Sequence, residues 1–359
     1  MRDLEDRIYQ SYMGLAPKRV PHWEHWSNPD AETYLTGIDY YGRPRSCRRR
    51  MGELYPELRL PVPETDDPLP RPEGDDTGNR TVRWGAGQTA TYEHGERFFR
   101  RAEDVFAFSP LEHADMRGWE HVVMNWDFSS EEAIERRLEQ WHPKPWSRPE
   151  GKSIASVGFY NTMFMWPMLT FGWELFLETC LDPEFGRVMD EFAEINRRLF
   201  RVYARMPVNF VVCHDDIVTT RGPVCSPEWM RKYIFPRYEE YWGMLKAAGK
   251  EVIFMVDGCV DLFVDDLFAC GARGIISEPY TDYKAIARRH KDCFLAGEGD
   301  NRVLLRNNPD EIKTMVRSMA ETARMSGGYM MCVGNHIPWN VPGEAVRRYF
   351  DLSRELVKR

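Results

Sequence analysis

The second half of the sequence alternates between short apolar runs and amphipathic stretches, and this alternation constrains the fold more than any other feature. The apolar runs have the length of buried strands, and acidic or other polar residues follow them. We predict strands at 209–216, 252–258, 274–278, 293–300 and 329–333, with helices at 228–248, 262–270, 283–290 and 309–325. Such alternation requires parallel strands joined by right-handed crossovers.

The first half carries weaker signals of the same kind. We predict strands at 20–26, 121–126 and 153–160 and helices at 3–14, 168–180 and 183–205. Residues 55–95 are rich in proline, glycine and acid and then alternate like a hairpin, so we interpret them as an insertion. The whole pattern predicts an α/β fold, a single (β/α)8 TIM barrel over residues 1–359. A doubly wound sheet is the alternative, disfavoured because no early glycine-rich phosphate turn is present.

Composition excludes several functions. With 359 residues and 43% hydrophobic content, the chain can bury a full core. A net charge of -8 without an extended basic block argues against nucleic-acid binding. No apolar run approaches the roughly 20 residues that a membrane span needs, and the N-terminus is charged, so we expect a cytoplasmic protein. The eight cysteines form no CxxC pair, and we expect most of them in the core.

Chemistry-bearing residues follow the predicted strands of the second half. In a parallel barrel the carboxyl ends of all strands meet at one rim, where catalytic groups gather. Strand ends are polar in any case because they meet water, but clustered carboxylates repel unless a cation or proton neutralises them. We therefore predict a metal or acid/base site built from Asp215, Asp216, Asp257, Glu278, Glu298, Asp300, Asn335 and His336.

Three of these residues make a plausible ligand set. Glu278, Glu298 and His336 offer two carboxylates and an imidazole, which suit Zn²⁺ with an open fourth position. Cys332 is a competing ligand, although its apolar run favours a core position, and a contribution from Cys259 stays open.

A second acidic and histidine-containing segment lies near the N-terminus. His22, Glu24 and Trp26 share one face of the first predicted strand. A metal site is one interpretation of this face, and a hydrogen-bonded pocket wall is the favoured one.

The pattern of these motifs resembles the uroporphyrinogen decarboxylase superfamily, especially its cobalamin-dependent methyltransferase branch. The resemblance covers about residues 150–359 and includes the following motifs: Asp215-Asp216, Ser226-Pro227, Asp257-Gly258, Gly297, Asp300, Leu304-Leu305, Gly327-Gly328, Gly334 and Pro342. It implies the (β/α)8 barrel expected above.

Two departures distinguish between branches of that superfamily. The segment Arg49–Glu53 has an acid where decarboxylases carry a second arginine for tetrapyrrole carboxylates. Met255, Asp257 and Asn335 stand where thiol-methylating members hold zinc with histidine and cysteines. The chain is more similar to members that demethylate methoxylated compounds.

The resemblance therefore implies a demethylating methyltransferase. We predict that Zn²⁺ polarises an O-methyl ether, of a methoxylated aromatic compound for example, while Co(I) of a separate corrinoid (cobalamin) protein takes the methyl group. Asp257, Asp215 and Asp216 are the predicted catalytic residues, and the predicted substrate-binding residues are Trp23, Trp26, Phe159, Asp300, Asn335 and Trp339. A metal-independent decarboxylase or lyase and a ligand-binding barrel without turnover are the alternatives; a homodimer is possible.

Overall fold

The computed structural model describes residues 2–58, 60–71, 81–84, 88–91, 99–117, 126–141, 154–155 and 162–356. Its strands are β1 His25–Ser27, β2 Thr81–Trp84, β3 Gln88–Thr91, β4 Ile154–Ala155, β5 Phe210–His214, β6 Val218–Thr219, β7 Gly222–Pro223, β8 Glu251–Met255, β9 Ala272–Ile276, β10 Phe294–Ala296, β11 Gly328–Met330 and β12 His336–Pro338.

Its helices are α1 Arg2–Tyr12, α2 Pro29–Thr36, α3 Pro44–Leu54, α4 Ala102–Ala107, α5 Glu131–Trp141, α6 Met165–Phe171, α7 Trp173–Thr179, α8 Phe185–Arg205, α9 Pro227–Tyr233, α10 Phe235–Ala247, α11 Val264–Cys270, α12 Tyr283–Arg289, α13 Asn301–Arg306, α14 Pro309–Met325 and α15 Gly343–Leu356. Short 3-10 turns span Pro56–Leu58 and Asp261–Phe263.

The chain divides into two compact units. Unit 1 combines residues 1–93 with 276–359, and unit 2 is residues 94–275. The predicted hairpin is confirmed, because β2 and β3 pair antiparallel within unit 1. The description of residues 1–359 as a single barrel domain stays a prediction.

Unit 2 is built on a run of neighbouring strands in the order β4, β5, β8, β9. β5 pairs parallel with β4 and with β8, and its register with β8 runs from Phe210 opposite Glu251 to His214 opposite Met255. All five residues of β5 are buried, as expected for a parallel strand covered by helices. The longest helix, α8, places Phe192 in the core, where its ring lies 5.5 Å from that of Trp166.

Unit 1 brings the first strand of the chain beside the last. β10 pairs parallel with β11, and β1 pairs parallel with β12 in the register His25 opposite His336. A further parallel bridge joins His22 to Met331, and the backbone N–H of Trp23 donates to the carbonyl of Met331 at 3.1 Å. The pairing of β1 with β12 agrees with the barrel prediction, but the described strands do not form one closed sheet, so barrel closure stays a prediction.

The buried carboxylate of Glu24 connects the segments that pair here. Glu24 is 1% exposed, and its Oε1 atom lies 2.7 Å from Nε2 of His22 and accepts a hydrogen bond from the Tyr349 hydroxyl at 2.7 Å. Its Oε2 atom accepts the backbone N–H of Val333 at 3.0 Å. Both carboxylate oxygens are thus paired, which is the condition under which a buried acid is tolerated. This supports the hydrogen-bonded interpretation of the His22 and Glu24 face.

Three predicted elements differ in detail from the structure. The helix predicted at 168–180 is two helices, α6 and α7, which meet at Gly172 in a positive-φ conformation (φ 81°). The helix predicted at 228–248 divides into α9 and α10 before Pro236, because proline has no N–H for the helical ladder. The loop predicted after residue 333 contains β12.

Some sequence predictions fall outside the described residues. Most of the strand predicted at 121–126, most of that at 153–160, and Phe159 lie there. Among the described residues, no helix combines the length and the apolar character that a membrane crossing requires. The cytoplasmic location stays a prediction.

We expect Glu24→Ala to lower the free energy of unfolding by about 2–4 kcal/mol, because the Tyr349 hydroxyl and the Val333 N–H lose their acceptor. Glu53 is an exposed acid paired with Arg50, and Glu53→Ala should change stability by less than about 1 kcal/mol. Urea denaturation followed by tryptophan fluorescence measures both. Equal losses for the two variants would contradict the structural role of Glu24.

Candidate active site

The carboxyl ends of β5 and β8 bring together one histidine and two aspartates in unit 2. His214 ends β5, Asp216 follows two residues later, and Asp257 follows two residues after β8. The His214 Nε2 atom lies 3.0 Å from Asp216 Oδ1, and the backbone N–H of Asp257 donates to the same oxygen at 2.9 Å. One ligand atom from each of the three side chains lies within 4.8 Å of the others.

The backbone holds this cluster in place. The parallel ladder continues past β5, since the N–H of Asp215 donates to the Met255 carbonyl at 3.1 Å. Gly258, next to Asp257, has φ 107°, and a Cβ atom there would lie 2.6 Å from the backbone carbonyl of Thr219. The turn after β8 therefore packs directly on the β6–β7 hairpin, and only glycine fits that contact.

Burial and the charges of neighbouring side chains shift the pKa values of His214 and Asp257. Burial acts to lower the pKa of His214, but the hydrogen bond and charge of Asp216, with smaller contributions from Asp257 and Asp215, outweigh it and raise that pKa. Burial and then the charge of Asp216 raise the pKa of Asp257, and His214 opposes this. A bound cation would relieve the repulsion between the two carboxylates.

Asp215 has a different environment from its neighbour. It is fully buried, and its carboxylate accepts the backbone N–H groups of Phe164 at 3.0 Å and Met165 at 2.7 Å and the Tyr238 hydroxyl at 2.5 Å. Burial raises the pKa of Asp215 to about 6, although these hydrogen bonds lower it. These hydrogen bonds support a structural role for Asp215 at the start of α6, and its catalytic role stays a prediction.

The residue types fit a divalent metal. One imidazole and two carboxylates that converge from adjacent strands provide three ligands, and a substrate or water could complete a tetrahedral set. Within the part of the chain that the structure describes, His214, Asp216 and Asp257 form the one group of three or more histidine, cysteine, aspartate or glutamate side chains whose ligand atoms converge.

The predicted ligands Glu278, Glu298 and His336 do not form such a group in the described part of the chain. Glu298 is engaged in hydrogen bonds: Oε1 accepts from Thr322 at 3.0 Å and Oε2 from Tyr329 at 2.7 Å. Burial raises the pKa of Glu298, and these hydrogen bonds oppose that shift. The assignment of these ligands stays a prediction.

A second cluster of polar and aromatic groups lies at β1 and β12 in unit 1. The rings of His25 and His336 are 5.5 Å apart, and Trp23 stacks on His25 at 6.4 Å. His336 Nδ1 lies 2.8 Å from Asn335 Oδ1, a contact that orients the ring. Burial, and then the nearby His25, lower the pKa of His336 to about 4.

The other predicted substrate-binding residues are dispersed. Trp26 is buried, and its indole N–H donates to Glu32 at 2.7 Å, so it packs in the interior of unit 1 on the face opposite Trp23. Asp300 caps α13 and pairs with Arg302 at 2.8 Å, which is a structural position at the surface. Trp339 is half-buried, and Cys332 is buried as expected.

Two histidines were missed by the sequence reasoning. His214 and Asp216 are two residues apart, so strand alternation places them on one side of β5; this signal was present in the printed sequence. His25 alternates in the same way with Trp23. Its partner His336 lies 311 positions further along the chain, and only the strand pairing reveals the contact.

Comparisons with known proteins agree with this fold. Residues 178–356 match the family model described as uroporphyrinogen decarboxylase (URO-D). The chain therefore belongs to the uroporphyrinogen decarboxylase superfamily, which confirms the resemblance found in the sequence, and it has the α/β fold of that superfamily.

One solved structure has a similar fold over its full length. The chain is similar to a methyltransferase from Methanosarcina mazei, with a TM-score of 0.54, 14% sequence identity and coverage of 98% of each chain. It overlaps in part with the IOLI protein with a binding zinc atom, with a TM-score of 0.30, 9% identity and coverage of 47% of this chain and 69% of that one; an overlap this partial carries no argument. No curated protein matches the sequence.

We expect His336 to remain neutral down to about pH 4. The imidazole in the unfolded chain has a pKa of about 6.5, so between these values the unfolded state binds the extra proton. The contribution of His336 to stability is therefore complete above about pH 6.5 and falls as the pH is lowered towards 4. Ring-proton NMR across this range measures the titration, and His25→Gln should raise the pKa of His336. A wild-type His336 that titrates near 6.5 would contradict the burial of this ring.

Proposed function

We propose that this protein is the demethylating component of a corrinoid-dependent methyltransferase system. In this proposal it takes a methyl group from an O-methyl ether, of a methoxylated aromatic compound for example, and the acceptor is the corrinoid of a separate partner protein. Two facts support the class: membership in the uroporphyrinogen decarboxylase superfamily and a full-length fold likeness to a protein named as a methyltransferase.

The observation that carries the proposal is the convergence of His214, Asp216 and Asp257 within 4.8 Å. They lie in the segment that matches the family, at the carboxyl ends of two parallel strands, where barrel enzymes place their chemistry. Ethers are poor methyl donors because the departing oxygen is strongly basic, so the site must supply positive charge or a proton to that oxygen.

His214, Asp216 and Asp257 would hold a divalent ion such as zinc, which as a Lewis acid would polarise the ether oxygen and stabilise its departure. Asp216 positions the other two ligands, because its Oδ1 atom contacts both the His214 ring and the Asp257 backbone. The buried Asp215 fixes the backbone beside Asp216 through its three hydrogen bonds. Trp23, Asn335 and Trp339 remain the proposed substrate-binding residues.

The alternative is a decarboxylase or lyase without a metal, and one observation favours it. The hydrogen bond and charge of Asp216 overcome burial and raise the pKa of His214, so the same cluster could carry a proton on the imidazole. The same three residues would then act as a general acid and its orienting carboxylates.

Metal content distinguishes the two proposals. We expect the purified protein to bind about one zinc ion per chain and both Asp216→Asn and Asp257→Asn to lose more than about nine-tenths of it. Glu251→Gln is a matched control, since it removes a carboxylate from the opposite end of β8. Elemental analysis by mass spectrometry measures the metal.

Each other result has a definite meaning. Zinc that is lost in Glu298→Gln or His336→Ala but kept in Asp216→Asn would move the site to the predicted ligand set. A catalytically active wild-type protein without metal would favour the lyase.

Activity provides an independent test. With reduced cobalamin as the methyl acceptor and a series of methoxylated benzoates as donors, we expect the visible spectrum to change as methylcobalamin forms. Asp216→Asn should slow this reaction by at least about 100-fold, because a charge-stabilising group is lost, while Glu251→Gln should not. A metal-loaded wild-type protein that forms no methylcobalamin with any O-methyl donor would refute demethylation but not the metal site.

A further inference from the structure

Three large apolar side chains of unit 2 are exposed in one line on α7 and the turn that follows it. Trp173 is 46% exposed, Leu177 46% and Leu181 79%. They are four residues apart, and side chains at this spacing are neighbours on a helix surface. Single exposed apolar residues are normal, whereas a contiguous group marks an interaction surface. We call these three residues the apolar ridge.

An acidic row lies beside the apolar ridge. Glu174, Glu178 and Asp182 each follow a ridge residue by one position, so they lie about 100° further around the helix, and all three are exposed. The sequence from 153 to 186 contains no lysine, arginine or histidine. The surface at α7 is therefore an apolar ridge with negative charge along one side.

Helix α9 packs along the other side of the apolar ridge. Phe176 and Cys180 each precede a ridge residue by one position, so they lie on the side away from the acidic row, and both are buried. The ring of Phe176 is 6.0 Å from that of Trp229, and the Trp229 indole N–H donates to the Cys180 carbonyl at 2.8 Å. Trp229 lies in the first turn of α9, which is therefore the neighbour of α7 on this side.

The end of α9 adds an aromatic ring and a positive charge. Tyr233 is half-buried, and its ring is 5.1 Å from that of Trp229. Lys232 is exposed, and its Nζ atom lies 4.7 Å from the centre of the Tyr233 ring, whereas the adjacent Arg231 is paired with Asp266 at 2.9 Å. The apolar ridge therefore has negative charge on one side and a lysine on the other.

We propose that the apolar ridge is the interface through which two copies of this chain form a symmetric dimer. The two-fold axis would run parallel to α7, so that ridge packs on ridge and the acidic row of each copy meets the α9 side of the other, where Lys232 lies. An antiparallel arrangement of the two α7 helices would place the acidic rows against each other, and like charges repel. The charge pattern thus selects the parallel arrangement.

The order of these groups is that of a specific protein interface. Trp173 and the two leucines would form an apolar centre, and tryptophan is among the residues that contribute most to binding. The acidic row and Lys232 would form a charged rim. The net charge of -8 opposes the association of two copies, so we expect a dimer that dissociates at about micromolar concentration.

Sedimentation velocity over a concentration series tests the proposal. Between about 1 and about 100 µM, the full wild-type chain should change from monomer to dimer. Leu177→Asp should raise the dissociation constant at least about 30-fold, because it places a charge at the centre of the interface. Leu305→Asp is the matched control: Leu305 of α13 is a helix leucine of similar exposure (39%) outside the ridge, and its variant should leave the dissociation constant unchanged.

Charge reversal tests the orientation of the two copies. Lys232→Glu should raise the dissociation constant about 10-fold, because the new carboxylate would face the acidic row of the other copy. Adding Glu178→Lys to Lys232→Glu should restore most of the lost affinity, since the pair of charges is then exchanged. A double variant that binds no more tightly than Lys232→Glu alone would overturn the parallel arrangement.

Two further outcomes would overturn the interface itself. A wild-type chain that stays monomeric through the series would do so and would favour a different protein as the occupant of the ridge. A dimer that Leu177→Asp leaves intact would place the contact elsewhere on the surface. Circular dichroism confirms that each variant is folded, and the wild-type series needs no variant.

Discussion

The pairing of the first strand with the last depends on one buried carboxylate. Glu24 accepts hydrogen bonds from Tyr349 of α15 and from Val333 in the segment after β11, and it contacts His22 two residues before it. An acid buried without these partners would be costly, and the partners would themselves be left without an acceptor. The interaction therefore favours the observed alignment of these segments, in which both carboxylate oxygens of Glu24 are paired. The position of β1 beside β12, and with it the contact of His25 with His336, depends on this arrangement.

Adjacent residues of the candidate active site have opposite tasks because strand geometry points them in opposite directions. The side chain of Asp215 is buried, and its carboxylate accepts hydrogen bonds from two backbone N–H groups and from the Tyr238 hydroxyl. Asp216 turns towards His214 and Asp257, where its carboxylate is an orienting group between two possible ligands. His214 is the basic member of the site, and its contact with Asp216 offsets part of the repulsion between the two carboxylates.

The sequence was sufficient for the fold class because its evidence is local: apolar runs such as 209–216 and 252–258 have the length of buried strands. The helix breaks at Gly172 and before Pro236 were not predicted, although both have a local cause in backbone chemistry. It also predicted polar groups at the strand ends, where His214, Asp216 and Asp257 lie close together. The sequence does not reveal which side chains form hydrogen bonds with each other, because packing determines these partners. Glu298 is engaged by Tyr329 and Thr322, and Trp26 by Glu32; neither contact has a local signature. His214 could have been found from its two-residue spacing to Asp216, whereas the contact of His25 with His336 depends on the strand register.

The two segments of unit 1 are synthesised at different times. Its two segments, residues 1–93 and 276–359, are separated in the sequence by all of unit 2. During synthesis the first strand leaves the ribosome long before its pairing partner exists, so the N-terminal segment must wait with its apolar surface uncovered. Unit 2 is continuous and can fold as it emerges. Such non-local pairing is slow to form and vulnerable to aggregation. In a newly made molecule the acid at position 24 thus remains in water until its partners Val333 and Tyr349 have been synthesised.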